Sequence, residues 1–252
     1  MELIAHRGNP FEALENSLAA FECAIREGAT RLELDVWMGA DGTPLVCHDP
    51  RTGRVSPTDL DLRTAAASEI ASLRLRDGSA LPTLEAVCHL VSGRAALDIE
   101  LKDPRPDAAC VALEVARRSG AVRDAWFTSF EEAPLAALRD AGFGGPTGLL
   151  IGSRSMSLIQ RLYEAWPLAA LERVGATALA VHHRLAHTVL RSRLRLSGYQ
   201  LWLWMSVEDE EKPPSQRAAA YAAAARTGAD ALIVGRVAEA RHALDRDGLL
   251  SG

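Results

Sequence analysis

Short apolar runs recur along the chain, and each is followed by an amphipathic stretch. This alternation predicts β-strands joined by helices. Ser17 and Thr83 are typical residues to precede a helix, and Pro134 is predicted to be a first helical residue. The predicted strands are Leu3–Ala5, Arg31–Trp37, Ala95–Leu101, Ala125–Thr128, Thr147–Ile151, Ala178–Val181, Gln200–Trp204 and Ala231–Val234. The predicted helices begin near Ser17, Thr83, Asp107, Pro134, Ser157, Ala186 and Ser215, with a last one after Val237.

Eight strand–helix units in 252 residues predict an α/β fold, the closed (β/α)8 or TIM barrel. An open, doubly wound sheet is the alternative. Such a sheet would need a glycine-rich phosphate loop after its first strand, and residues 6–10 contain no G-x-G-x-x-G motif. The barrel is therefore favoured, and we expect residues 1–252 to form a single domain.

One segment departs from the alternation. Asp41-Gly42 is typical of a hairpin turn and precedes a short predicted strand at Pro44–Cys47. The following residues contain prolines, glycines and many charges, with one predicted helical turn around Ser68–Leu73. We therefore expect a small inserted subdomain at about 49–82, after the second strand, that extends over the barrel mouth.

Carboxylates are concentrated at the ends of two predicted strands. Alternation places Glu33 and Asp35 on one face of the second strand. It also places Asp98, Glu100 and Lys102 on one face of the third. Since the intervening residues are apolar and would pack against outer helices, these charged side chains are expected to point into the barrel at similar depth.

Carboxylates this close together would repel one another unless something neutralises them. A divalent cation would do so, and a set of oxygen ligands suits Mg²⁺ or Ca²⁺ better than Zn²⁺. The alternative is a buried ion-pair network in which Arg7, Arg31 or Lys102 neutralises the carboxylates.

Two histidines are predicted at the same mouth. His6 ends the first strand and His48 follows the short strand at Pro44–Cys47. Paired imidazoles suit general acid–base chemistry near neutral pH, and the fixed positive charges of Arg7 and Lys102 suit an anionic substrate such as a phosphate. A metal, two histidines and two cations together indicate cleavage of a phosphodiester.

The composition narrows the possible partners. Lys plus Arg number 28 and Asp plus Glu number 33, so the net charge is −5, which argues against a nucleic-acid partner. The longest stretch without a charged residue, Ala141–Ser153, is too short to span a membrane, and we expect no stable membrane anchor. The cysteines are expected to be buried free thiols, and the N-terminus shows no signal peptide, so we expect a cytoplasmic location.

Four segments carry a resemblance to a known family. They are Ile4–Phe21, with H-R-G and E-N-S; Leu32–Pro50, with E-L-D and H-D; Leu81–Val87; and Leu97–Lys102, with E-L-K. In order and spacing they resemble the glycerophosphodiester phosphodiesterases, whose fold is a (β/α)8 barrel with an insertion after the second strand. The resemblance is specific over the first 102 residues and looser after that.

The resemblance implies a role for each matching residue. His6 and His48 would be the catalytic acid–base pair, and Glu33, Asp35 and Glu100 would bind one divalent cation, Mg²⁺ or Ca²⁺. Arg7, Glu15, Lys102 and Trp204 would serve substrate binding. The substrate would be a small glycerophosphodiester, which the enzyme would hydrolyse with metal dependence to sn-glycerol 3-phosphate and an alcohol.

Other interpretations remain open. The same barrel could act on larger lipids, as a lysophospholipase D or a cyclising phospholipase, or could bind phosphate without catalysis. His182 and His183 are expected at a polar rim, and the charge run Glu208–Lys212 is expected to be a solvated loop. The endings of the last two strands depart from the family pattern, and this departure bears on the leaving group rather than on the reaction.

Overall fold

The computed structural model describes residues 1–152 and 167–250, and in that part eight parallel strands close into a barrel surrounded by helices. The strands are β1 (Glu2–His6), β2 (Arg31–Met38), β3 (Pro44–Val46), β4 (Ala96–Leu101), β5 (Trp126–Ser129), β6 (Thr147–Ile151), β7 (Ala178–His182), β8 (Gln200–Trp204) and β9 (Ala231–Val234). The helices are α1 (Leu18–Arg26), α2 (Ala67–Ser72), α3 (Leu84–Val91), α4 (Pro106–Arg118), α5 (Glu132–Asp140), α6 (Pro167–Val174), α7 (Thr188–Leu196), α8 (Val207–Glu210), α9 (Pro214–Arg226) and α10 (Val237–Arg246). The predicted (β/α)8 barrel is confirmed.

The barrel closes where β1 pairs with both β2 and β9. The remaining parallel strands follow one another around the ring in chain order, and β3 adds an antiparallel strand to β2. The eight predicted strands of the barrel match the observed ones to within a residue or two at each end. An open sheet is therefore excluded.

Strand alternation separates two cores, as the sequence predicts. On β2, Leu32, Leu34 and Val36 belong to the large apolar cluster between the barrel and its helices. On β1 and β8, Ile4 and Trp202 belong to a smaller cluster inside the barrel. The polar residues that alternate with Leu32, Leu34 and Val36 along β2 therefore project into the barrel interior.

Most predicted helix starts agree with the structure. The Ser17 hydroxyl accepts a hydrogen bond from the Ala20 amide, and the Thr83 hydroxyl accepts one from the Ala86 amide. The nitrogen–oxygen distance is 3.1 Å in each bond. The prediction for Pro134 was wrong by two residues, because α5 begins at Glu132. The helix predicted near Ser157 lies outside the described residues.

Between β3 and α3 the chain forms a short 3-10 helix, Thr52–Arg54, and the helix α2. This region has an apolar cluster of its own, formed by Leu45, Cys47, Val55, Leu62, Leu73, Leu75 and Leu81. This cluster combines a residue of β3 with residues of the segment 49–82. That segment, called the excursion below, therefore packs against β3, the antiparallel strand added to the barrel. The single-domain division with an inserted subdomain stays a prediction.

Two other features bear on the sequence predictions. The four cysteines are free thiols, but only Cys47 and Cys88 are buried, whereas Cys110 is exposed. None of the described helices is long and apolar enough to cross a membrane.

Aromatic stacking fills the amino-terminal end of the barrel. The rings of Trp126 and Trp202 stack with centroids 4.2 Å apart. The Arg31 guanidinium lies 3.8 Å from the Trp126 ring centroid and donates hydrogen bonds to the Leu97 and Asp124 carbonyls. Arg31 therefore closes the lower end of the barrel instead of neutralising the carboxylates at the mouth.

The stacked pair generates a stability prediction. Trp202 is fully buried, and a Cβ on Gly148 would lie 2.7 Å from its ring, so the space around the indole is completely filled. We expect Trp202→Ala to lower the free energy of unfolding by about 3–5 kcal/mol, because it leaves a cavity. Urea unfolding measures this, with Leu196→Ala as the exposed control, which should change stability by less than about 0.5 kcal/mol. A loss below about 1 kcal/mol for Trp202→Ala would contradict this account of the lower core.

Candidate active site

Parallel register brings the polar strand ends together. His6 lies level with Glu33 across β1 and β2, Glu33 lies level with Asp98 across β2 and β4, and Asp35 lies level with Glu100. The inward carboxylates therefore form two layers, with Asp35 and Glu100 nearer the carboxyl ends of the strands. Those ends are where functional side chains of such barrels are located.

Three of these carboxylates could hold a metal ion. Glu33, Asp35 and Glu100 are all buried, and one oxygen of each lies within 4.8 Å of the others. The buried atoms Glu33 Oε1 and Asp35 Oδ1 have no hydrogen-bond partner among the described residues. Burial, together with the charges of Asp35 and Glu100, raises the pKa of Glu33 well above its usual range. A compact set of carboxylates, with oxygens that accept no hydrogen bond, fits a hard divalent cation.

Asp98 lies level with Glu33, one layer below Asp35 and Glu100, and takes no part in this cluster of three. It accepts a hydrogen bond from the Thr128 hydroxyl over 3.1 Å. Burial raises the pKa of Asp98 to about 7. The prediction that Asp98 points inward is confirmed, but its depth differs from that of Asp35 and Glu100.

Two cations contact the carboxylate cluster. The Lys102 ammonium lies 2.6 Å from Glu100 Oε1 and 3.3 Å from Asp35 Oδ1, and Arg7 Nε lies 3.2 Å from Asp35 Oδ2. Burial opposes ionisation of Asp35, but the charges of Lys102 and Arg7 hold its pKa well below the usual range. Three carboxylates against two cations leave room for further positive charge, so ion pairing and metal binding are compatible here.

The loop after β1 holds Arg7 in an unusual conformation. Arg7 has a φ of 55° and Gly8 a φ of 79°, in the left-handed region. A Cβ on Gly8 would lie 2.5 Å from the Ala20 carbonyl carbon, so only glycine fits against α1. In this conformation the Arg7 amide donates a hydrogen bond to Glu33 Oε2 over 3.0 Å. The strained loop thus aims both the amide and the guanidinium at the carboxylates.

Asn16 is a site residue that the sequence analysis did not single out. Its side chain donates to Asp35 Oδ2 over 2.8 Å and accepts from the Asp35 amide over 3.3 Å. Its φ of 56° is also left-handed. The E-N-S motif contained the signal, because Asn16 follows Glu15 directly in that motif.

The two histidines differ in their surroundings. His6 is nearly buried, with Nε2 3.9 Å from Glu33 Oε2 and with no hydrogen-bond partner for Nδ1 among the described residues. Burial, reinforced by the charge of Arg7, lowers the pKa of His6 well below its usual range. The ring of His48 is more exposed, and its Nδ1 lies 2.7 Å from Asp49 Oδ1. This contact fixes the orientation of the His48 ring and leaves Nε2 available.

A chain of alternating charges connects His48 with Arg7. Arg54 contacts Asp49 over 2.6 Å and Glu15 over 2.7 Å, and Glu15 in turn contacts Arg7 over 3.2 Å. Hydrogen bonding from His48, with further support from Arg54, holds the pKa of Asp49 well below its usual range. The sequence analysis assigned no role to Asp49 or Arg54. It named Glu15 as a site residue but did not predict its contact with Arg54.

The opposite side of the mouth is aromatic. Lys102 Nζ lies 5.7 Å from the Phe130 ring centroid, and the Phe130 and Trp204 centroids are 6.1 Å apart. Trp204 is half-buried and reaches the Ile151 carbonyl with its indole N–H over 3.3 Å. The structure therefore places Trp204 at the mouth, separated from Lys102 by the ring of Phe130.

The charge run Glu208–Lys212 was wrongly predicted to be a solvated loop. It contains helix α8, and Asp209 and Glu210 in it are buried. Glu210 accepts hydrogen bonds from the Gly235 and Arg236 amides over 2.6 and 3.1 Å. Glu210 is buried here because backbone amides after β9 need an acceptor, whereas Asp209 is buried against His182 and His183.

Comparison with known proteins places this geometry in a family. The model of the "Glycerophosphoryl diester phosphodiesterase family" matches residues 6–239. A rat protein named glycerophosphodiester phosphodiesterase 1 is 35% identical over 100 residues, which cover 34% of this chain and 30% of the relative. The chain therefore aligns with less than half of that relative's length.

Two solved structures share the barrel over nearly its whole length. A glycerophosphodiester phosphodiesterase from Thermotoga maritima is 28% identical, with a TM-score of 0.69 over 94% of this chain and 95% of that chain. A phosphodiesterase from Oleispira antarctica, in complex with the product sn-glycerol-3-phosphate, is 21% identical, with a TM-score of 0.79 over 97% of both chains. With the match of the family model over residues 6–239, these findings show that the chain belongs to the glycerophosphoryl diester phosphodiesterase family.

Proposed function

We propose that this protein hydrolyses glycerophosphodiesters to sn-glycerol 3-phosphate and an alcohol, with a divalent cation and two histidines. The observation that carries this proposal is the juxtaposition of three buried carboxylates and two cations at one barrel mouth, where Glu33 Oε1 and Asp35 Oδ1 accept no hydrogen bond from the described residues. Family membership supports the proposal, as does the sn-glycerol-3-phosphate product held by the Oleispira phosphodiesterase.

Glu33, Asp35 and Glu100 would hold the cation, Mg²⁺ or Ca²⁺. When bound, such an ion supplies positive charge that polarises phosphate oxygens and stabilises the charge that develops during displacement. Arg7 and Lys102 both contact Asp35, and Lys102 also contacts Glu100, so their positive charges would face the place where a phosphate approaches. A bound phosphate would meet both cations without either side chain having to move far.

The two histidines would transfer protons in opposite directions. His6 would take a proton from the attacking water as the oxygen of that water bonds to phosphorus. His48 would give a proton to the alcohol oxygen as its bond to phosphorus breaks. The structure supports this division because Asp49 fixes His48 through Nδ1, whereas the Nδ1 of His6 lacks a partner among the described residues.

The excursion between β3 and α3 would shape the alcohol side of the mouth. It begins directly after His48, and its Arg54 contacts both Asp49 and Glu15. Arg76 of the same excursion donates hydrogen bonds to the Arg54 and Gly53 carbonyls over 3.0 and 2.7 Å, which fixes the backbone at Arg54. A segment held in this way would limit the space for the leaving group and exclude water from it.

The first prediction concerns metal removal. Chelation should reduce turnover of a glycerophosphodiester at least about 100-fold, and added Mg²⁺ or Ca²⁺ should restore it, because the carboxylates need a cation to neutralise them. Glu100→Gln should give a similar loss that added metal does not restore. A coupled assay for glycerol 3-phosphate measures both on glycerophosphodiesters, and an assay for the released alcohol compares them with a lysophospholipid.

Asp98→Asn is the matched control. It changes a buried carboxylate on the same strand that lies one layer below Glu100 and outside the cluster, and it should keep its response to chelation and to added metal. Full activity of the wild-type protein in chelator would contradict metal dependence. Preferential turnover of the lysophospholipid would favour a lysophospholipase instead.

The second prediction separates the two histidines. His6→Ala and His48→Ala should each lose about 10²–10⁴ in rate on a natural diester, the range for positioned proton transfer. A nitrophenyl diester of glycerol phosphate has a leaving group that needs little protonation. His48→Ala should therefore recover most of its rate on that substrate, whereas His6→Ala should not. Equal losses on both substrates would refute the assignment.

The third prediction concerns Arg54. Arg54→Met removes the charge-assisted contacts to Asp49, beside His48, and to Glu15, beside Arg7, and should lower kcat/KM by about 10-fold. Arg51→Met is the matched control, because Arg51 pairs only with the exposed Asp59 among the described residues of the excursion. Steady-state kinetics on glycerophosphodiesters of several alcohols test whether Arg54→Met also reduces the differences in kcat/KM among these substrates. Wild-type kinetics for Arg54→Met would show that the ion-pair chain is dispensable.

A further inference from the structure

A second group of metal-binding residue types lies outside the site described above. The rim histidine cluster consists of His182, His183 and Asp209. His182 ends β7, His183 follows it directly, and Asp209 lies on α8 after β8. The Nε2 atoms of His182 and His183 lie 2.9 and 3.1 Å from the same Asp209 oxygen, Oδ2. Three ligand-type atoms on two neighbouring connections therefore converge on one point.

The spacing of these atoms suits a small transition-metal ion. Zinc bonds of about 2.0–2.1 Å in a tetrahedron place neighbouring ligand atoms about 3.3 Å apart. The two nitrogen–oxygen distances in the rim histidine cluster differ from this by only a few tenths of an ångström. Two imidazoles with one carboxylate also form a typical zinc ligand set, and they leave a fourth position open.

The two imidazole rings lie side by side, with centroids 4.7 Å apart. A metal ligand must present a neutral imidazole, and two imidazolium charges at this separation would repel each other.

The two cations that pair with Asp209 do not contact the oxygen that faces the histidines, Oδ2. Arg184 and Lys212 contact Asp209 through its other oxygen, Oδ1, and the Arg184 and Lys212 side chains are 55% and 37% exposed. Because these cations face solvent, their repulsion of a bound ion is screened by water and salt. The Ser206 hydroxyl donates to Oδ2 over 3.2 Å and would orient the carboxylate as an outer partner.

We propose that His182, His183 and Asp209 bind one transition-metal ion of the zinc type at the barrel rim, separately from the three-carboxylate cluster. The ion would tie the connection after β7 to the one after β8. The His182 ring also lies edge-on to Trp204, with centroids 4.6 Å apart, so the ion would stabilise the aromatic side of the mouth. This proposal does not depend on the hydrolytic function.

The test measures zinc binding to the metal-free full-length protein by calorimetry, with excess Mg²⁺ present to occupy the carboxylate cluster. We expect one zinc ion to bind with a dissociation constant below about 10 μM and to raise Tm by a few degrees. His182→Gln and His183→Gln should each weaken binding at least about 10-fold, which is the smallest loss expected even for a residue that only orients a ligand. Co²⁺ should give the absorption spectrum of a tetrahedral nitrogen–oxygen site in the wild-type protein.

His187→Asn is the matched control. His187 belongs to the same connection, but its ring caps α7 by accepting from the Leu190 amide, a role that asparagine can take over. This variant should bind zinc as the wild type does. Circular dichroism verifies that each variant is folded, and the wild-type cobalt spectrum reports on the site without any substitution. No zinc binding tighter than about 1 mM, or affinity unchanged by both glutamine variants, would overturn the proposal.

Discussion

Repulsion among three buried carboxylates is the constraint on which the mouth of this barrel depends. Glu33, Asp35 and Glu100 come from two adjacent parallel strands, and parallel pairing leaves them no freedom to separate. Like charges at such distances in a poorly solvated site are costly unless positive charge balances them. The ammonium of Lys102 and the guanidinium of Arg7 supply part of that balance. The excess of carboxylates over cations, with Glu33 Oε1 left without a hydrogen bond from the described residues, defines what the site can still bind.

The rest of the mouth is arranged to keep this balance in place. Gly8 allows α1 to approach closely, which sets the left-handed turn that directs Arg7 toward Asp35. Asn16 bonds to Asp35 through both its side-chain atoms. Glu15 pairs with Arg7 on the outer side and also pairs with Arg54 of the excursion. Removal of any member would leave a buried charge without its partner, which is more destabilising than the loss of an exposed pair.

Different parts of the barrel interior have different chemical character. The character changes with depth inside the barrel and from one side of the mouth to the other. The lower layers are apolar and aromatic, and Arg31 closes them through carbonyls and the Trp126 ring. At the mouth, the side formed by β1, β2 and β4 carries the carboxylates and their cations. The side formed by β7, β8 and β9 is held by different contacts, among them the bonds from backbone amides to Glu210.

The sequence by itself determined the strands, the barrel and the inward positions of His6, Glu33, Asp35 and Glu100. These follow from local rules, since alternation along a strand fixes which side chains share a face, and parallel barrels collect strand ends at one mouth. The ordered motifs then predicted the family, which the comparison confirmed. Residue roles in catalysis and metal binding stay predictions, because they require a bound substrate and ion.

Only the tertiary structure decided which charges meet. Arg54 and Glu15 are 39 residues apart, and no periodicity connects them. Arg31 was a candidate partner for the carboxylates, but the depth of its position on β2 directs it to the opposite end of the barrel. The charge run after β8 is partly buried because amides after β9 require an acceptor there. Contacts of this kind depend on where distant segments come to lie, and that placement is a property of the whole packed chain rather than of any local pattern.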